Sequence, residues 1–238
     1  MAEKVADLLW EMLANAGVKR CYGIVGDALN AVIDGLRRNG RIEFIHVRHE
    51  EYGVFAAVAE AYLAGNPVAV CGTAGPGVVH LFNGLMDARK EGAPIIAIAG
   101  DVETSLIDTE ALEELNPYKC FEAASLYTGR LINPEQARSI INTAILTAVL
   151  ENGPTVISIP GDVAAADVAD HSSQCRVPTI VCREAHSPPA PSVCLPVGPP
   201  RRGHLCSHRP RKSLPFSHRR SSSQADSGRH RKGRGWVG

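Results

Sequence analysis

Residues 133–160 read NPEQARSIINTAILTAVLENGPTVISIP. Asn133 carries the side chain of a helix N-cap. Pro134 suits the first helical position, because the N–H it lacks would find no partner there anyway. Glu135 adds negative charge at the positive end of the helix dipole. Ala137, Ile140, Ile141, Ala144, Ile145, Ala148 and Val149 then recur at the three-and-four spacing of one helix face. Gly153 and Pro154 end the helix, and 155–159 is a short run rich in β-branched residues that predicts a strand.

The same rhythm extends towards the N-terminus. Residues 95–99 are apolar without interruption, as expected of a strand covered on both faces. A helix is predicted over 75–90 after a glycine-rich turn, and a strand over 67–71. An alanine-rich helix is predicted over 50–63 and a strand over 42–47. Asp27 can cap a helix reaching about residue 38, and 20–25 reads as a short strand. Val5, Leu8, Leu9, Met12, Leu13 and Ala16 form an opening apolar stripe that Gly17 stops. Alternating helices and strands predict an α/β fold, an open parallel sheet with helices on both faces in three αβα layers. Ligands of such sheets sit beyond the carboxyl ends of the strands. Three loops fall there: Gly26-Asp27, Arg48-His49-Glu50 and 72–77.

The chain has 238 residues, 45% of them apolar, and a formal net charge of zero. That zero conceals two unlike parts. Residues 171–238 hold 13 Lys and Arg against Glu184 and Asp226, a net +11, which leaves −11 for residues 1–170. Nine of the 16 prolines and six of the nine histidines lie beyond 170. The expected organisation is a folded domain over 1–170 and a basic Pro/Ser/Arg-rich tail over 171–238, too poor in apolar periodicity to offset chain entropy and so disordered. Cys21, Cys71 and Cys120 stand singly and are expected as reduced thiols rather than a disulfide framework. The start of the chain reads as an amphipathic helix rather than a secretory signal, and no apolar run approaches the ~20 residues of a membrane span. A cytoplasmic location is the expectation.

Two local features point to chemistry, each with a bland alternative. Glu50 opens a helix after an apolar strand, where an acid complements the helix dipole whatever else it does. Gly72-Thr73-Ala74-Gly75-Pro76-Gly77 is a strand-to-helix turn whose glycines would let a ligand approach backbone N–H groups, or would merely serve a tight turn. It is neither a phosphate-binding loop ending in Gly-Lys-Ser/Thr nor a dinucleotide Gly-x-Gly-x-x-Gly.

Taken together, the motifs are more specific. Tyr22-Gly23-Ile24-Val25-Gly26-Asp27 comes first, then Arg48-His49-Glu50-Glu51 with Phe55-Ala56-Ala57, then Gly75-Pro76-Gly77. Asn83-Gly84-Leu85-Met86-Asp87-Ala88, Pro94-Ile95-Ile96-Ala97-Ile98-Ala99 and Pro160-Gly161-Asp162-Val163 follow. In this order and spacing, residues 5–165 resemble the N-terminal, pyrimidine-binding domain of thiamine-diphosphate enzymes. The likeness is to pyruvate oxidases and quinone-dependent pyruvate dehydrogenases above all, with acetolactate synthases sharing the skeleton.

The resemblance implies that Glu50 is catalytic. It would hydrogen-bond the ring nitrogen of the cofactor's aminopyrimidine and favour the imino tautomer that deprotonates the thiazolium, which then serves as electron sink for decarboxylating a small 2-oxo acid. It implies that Val25 and Gly26 lie beside the pyrimidine. Thr73, Gly75, Pro76 and Gly77 would form the wall the ring rests on, and Asn83 would pack below. Leu112 and Glu113 fall where pyruvate oxidases show Phe-Gln on the substrate side, and a carboxylate there is unfavourable towards an anionic substrate.

Other implied parts have no counterpart in the sequence. The family binds the diphosphate through magnesium on a further domain marked by Gly-Asp-Gly, and pyruvate oxidases carry FAD on a middle domain. Neither is legible here, and no residue is assigned to a metal. The resemblance therefore implies a pyrimidine half-site, inactive alone, of a protein that forms homo-oligomers or needs a complementing chain. The tail's composition suggests truncation or a shifted reading frame after about residue 170, which the coding DNA would decide. Two further readings concern the tail: non-specific nucleic-acid binding through its arginines, and a zinc site from Cys175, Cys182, Cys194 and Cys206 with His204 and His208, at spacings poor for structural zinc.

Overall fold

The computed structural model describes residues 3–168. The expectations placed on 171–238, namely disorder, the cysteine–histidine zinc site, the basic nucleic-acid patches and the change of frame, lie outside the described residues.

Helix α1 (Val5–Asn15) leads into β1 (Arg20–Gly23). A single 3₁₀ turn at Asp27–Leu29 precedes α2 (Asn30–Asn39), and β2 (Glu43–His46), α3 (Glu50–Ala64) and β3 (Val68–Gly72) follow. Next come α4 (Pro76–Glu91), β4 (Ile95–Asp101), α5 (Pro117–Phe121), β5 (Tyr127–Arg130), α6 (Ala137–Glu151), β6 (Thr155–Pro160) and α7 (Gly161–Ala165). The six strands are all parallel, in the order β2-β1-β3-β4-β6-β5.

Side chains alternate across this sheet because a strand has a period of two. Ile96 and Ile98 of β4 enter the core under α1, α2, α6 and α7, while Ile95, Ala97 and Ala99 enter the core under α3, α4 and α5. The expected three-layer αβα fold is the one observed. Trp10 is the largest buried side chain of the first core, and its indole N–H donates to Val32 O at 2.6 Å, joining α1 to α2.

Three local details differ from the sequence reading. Asp27 opens the 3₁₀ turn and its carboxylate accepts from Ala28 N–H at 2.9 Å, so α2 starts only at Asn30. Asn133 does cap, accepting from Glu135 N–H at 3.0 Å, but the turn it caps is 3₁₀ and α6 begins at Ala137. Strand β5, with the sequence YTGR, was not foreseen. It is an edge strand with a single partner and no apolar alternation to announce it.

Candidate functional site

The chain leaves β1 towards β2 on one side, and β3 towards β4 on the other. Between β1 and β3 the connections diverge, which opens a crevice at the carboxyl ends of the two strands. Gly23 is in register with Cys71 there, and the loops that continue from each strand touch. A β-carbon on Gly26 would stand 2.4 Å from both Cβ and Oγ1 of Thr73, so only glycine lets these loops close together. Thr73 Oγ1 is buried and has no hydrogen-bond partner. Gly75 turns the chain with φ at +65°, the left-handed region, and Pro76 then occupies the first turn of α4.

On the other side of the crevice, His49 caps α3. Its Nδ1 accepts from Glu51 N–H at 3.3 Å. The cap sets Glu50 at the first helical position, where the helix dipole favours a carboxylate. Yet Glu50 does not face solvent: it is only 6% exposed. Its Oε2 lies 3.0 Å from Nδ1 of His80 on α4, and its Oε1 lies 3.3 Å from where a β-carbon on Gly77 would be. The His80 side chain is 42% exposed and its ring stacks on that of His49, with centroids 4.3 Å apart and planes at 30°. Tyr22 ties α3 to β1 behind the crevice, its hydroxyl donating to Glu60 Oε2 at 2.7 Å. Burial first, and then this bond to an anion, push the Tyr22 phenol up to about 12.

The structure thus brings Gly26, Thr73, Gly77 and Glu50 together. Val25 borders the same loop and is half exposed. Asn83 is one step removed from the acid: its Nδ2 donates to Glu51 Oε1 at 2.6 Å, joining α4 to α3. Leu112 is 91% exposed, on the loop that also carries Glu113. Glu113 adopts φ of +70° and its Cβ sits 2.9 Å from the position a β-carbon on Gly75 would take, so this loop covers the outer side of the glycine turn. Asp108 and Glu110 are also left-handed, at +61° and +58°, a costly backbone for residues with side chains. The Glu114 carboxylate steadies the loop by accepting from Asp108 N–H, chiefly, and Thr109 N–H, donors that hold its carboxyl below the usual range.

Two features escaped the sequence reading. His80 is one; nothing local marks it, since its meaning comes from a carboxylate thirty positions earlier on another helix. The other is a buried network at the ends of β4, β5 and β6. Arg130 grips Asp101 through Nε at 2.7 Å and Nη2 at 3.0 Å, and Ser158 Oγ donates to the same carboxylate at 2.7 Å. It borders a second cavity of about 540 Å³ that reaches Asp27, Leu112, Glu113 and Asp162.

A doubly wound α/β domain with a buried acid and an unsatisfied hydroxyl at its switch point defines a class, that of ligand-binding domains of open parallel sheets. Residues 3–120 match the family described as thiamine pyrophosphate enzyme, N-terminal TPP binding domain, and this part of the chain belongs to it. An uncharacterized 42.6 kDa protein of Pseudomonas amyloderamosa is 41% identical over 83% of this chain and 46% of its own length. A putative thiamine pyrophosphate-containing protein of Bacillus subtilis (strain 168) is 39% identical over 71% of this chain and 30% of its own length. The pyruvate oxidase of Lactiplantibacillus plantarum is 38% identical over 62% of this chain and 24% of its own length. The chain therefore spans less than half of each of these relatives.

Proposed function

We propose that the crevice between β1 and β3 is the aminopyrimidine half-site of a thiamine-diphosphate enzyme of pyruvate oxidase type, acting on a small 2-oxo acid. The observation that carries this reading is the buried Glu50 carboxylate, fixed at the switch point with one oxygen against Gly77. The residues fit such a ring. Gly26, Gly75 and Gly77 let the backbone of the wall pack tightly against Thr73, Glu113 and Glu50, where any side chain would force these groups apart, and Thr73 Oγ1 waits without a partner in the same wall. Bound there, thiamine diphosphate would supply a thiazolium ring whose positively charged nitrogen takes up the electron pair released on decarboxylation.

This chain's own part is to hold and share a proton. Glu50 Oε1 faces a ring nitrogen and shares one proton with it, and the burial of this carboxyl limits the water that would otherwise compete. His80 holds Oε2 and so fixes the plane of the carboxylate. Val25 and Gly26 border one edge of the ring, and Pro76 with Thr73 and Gly77 the other. Glu113 and Leu112 stand at the substrate side, on the loop that covers Gly75.

Other parts of a full active site belong to this proposal as partners. Magnesium with the diphosphate, and FAD in an oxidase, would be held by domains of a complementing chain. Tyr52, Phe55, Tyr62 and Leu63 of α3 support such an association, since they stand exposed on the outer side of a helix already buried on its inner side. Among the described residues no helix is long and apolar enough to cross a membrane.

The test is binding of thiamine diphosphate to the full chain by equilibrium dialysis. Glu50→Gln keeps the shape but cannot exchange the proton. We expect it to weaken binding on the order of tenfold or more, the ~1.4 kcal/mol or more of a charge-assisted hydrogen bond. Equal affinity in the parent and the variant would remove Glu50 from the site.

A further inference from the structure

We infer that His49, Glu50 and His80 form a binding site for a divalent transition-metal ion of the zinc type. The three side chains offer two imidazole nitrogens and a carboxylate oxygen, all within 4.8 Å of one another. Two imidazoles and one carboxylate are a set that zinc adopts when it keeps a fourth position for water or substrate. The spacing needs little adjustment. His80 Nδ1 and Glu50 Oε2 are 3.0 Å apart, and two ligands on a tetrahedral zinc with ~2.0 Å bonds stand about 3.3 Å apart. His49 shares the crevice, its ring stacked on that of His80 at 4.3 Å.

The exchange of contacts favours the ion. A neutral imidazole has one lone pair, and that of His49 now accepts the Glu51 N–H at 3.3 Å, a long bond. Metal binding gives up that weak cap for a coordinate bond. Glu50 is 6% exposed and is held by an imidazole alone; a dication compensates a buried carboxylate more fully. The nitrogen ligands select against magnesium, which prefers an all-oxygen shell, so the site differs in chemistry from one for a metal-bound diphosphate. The half-exposed His80 gives an ion a way in from solvent to the buried carboxylate. A bound ion would take the same carboxylate that the proposed pyrimidine site uses. Metal uptake does not depend on that assignment, whereas competition with the cofactor does.

The experiment uses the full chain, stripped with a chelator and titrated with Co²⁺, whose visible absorption reports its ligands. Cys175, Cys182, Cys194 and Cys206 are replaced by serine in the parent so that thiolates do not compete. The expected result is one bound equivalent with the spectrum of a four- or five-coordinate nitrogen/oxygen site, displaced by Zn²⁺. His80→Ala and Glu50→Gln each weaken it on the order of tenfold or more, while His46→Gln, at the exposed end of β2, leaves it unchanged. Circular dichroism confirms folding, and His80 lies outside the core, so its truncation removes a ligand without opening a cavity. No uptake by the parent, or an unaltered affinity and spectrum in a folded His80→Ala, overturns the site. If cobalt binds at this site but thiamine diphosphate fails to displace it, the metal site stands and the pyrimidine role of Glu50 falls.

Discussion

At the scale of single residues, the crevice depends on absences as much as on groups. Alanine at position 26 would place a methyl 2.4 Å from Thr73, so the β1 loop must lift off the β3 loop. We expect Gly26→Ala to cost about 1–3 kcal/mol in denaturant unfolding, and to lose thiamine-diphosphate binding even where the protein remains folded. Tyr22 gives a second residue-scale prediction. Its phenol titrates at about 12 in the fold and near its ordinary 10 in the unfolded chain. Neutral tyrosine is therefore favoured by folding, and its contribution is complete below pH 10 and lost as pH rises from 10 towards 12. Stability of the parent should fall over that window more steeply than that of Tyr22→Phe, measured by urea unfolding at successive pH values; equal slopes would deny the shift. Glu50 was legible in the sequence because its neighbours, a strand before and a helix after, are local. His80 was not, because the distance that gives it meaning is spatial.

Elements pose a different question, that of what fixes one strand against the next. Helices and central strands were legible because their burial imposes a period: α6 buries five positions of its apolar stripe, Ala137, Ile141, Ala144, Ile145 and Ala148, and β4 an unbroken run. Edge strand β5 lacks that signal, and polar bonds hold it instead. The Arg130 and Asp101 side chains are only 9% and 3% exposed, so the pair is a buried clamp across β4, β5 and β6. Arg130→Met leaves the carboxylate with only Ser158 and the Val102 N–H as donors. We expect a loss of about 3–5 kcal/mol, with part of it regained in the double variant Asp101→Leu/Arg130→Met; thermal unfolding of the three proteins checks this. If the single and double variants are equally destabilised, the penalty comes from packing rather than from a stranded charge.

Across the whole molecule, the sheet order has a meaning in time. Strand β6 lies between β4 and β5, although it is the last of the six in the chain. When Asp101 has been synthesised, β4 is paired on one side only, and β5, made next, has nothing to bond to until residues 155–160 arrive. Synthesis of the 59 residues from Val102 to Pro160, at ~5–20 residues per second, takes about 3–12 s. For that interval the nascent chain on the ribosome presents the apolar edge of Ile95–Asp101, an open template for any other strand and a natural point of engagement for chaperones. Slow codons placed before residue 155 would lengthen that interval and lower the yield of folded protein.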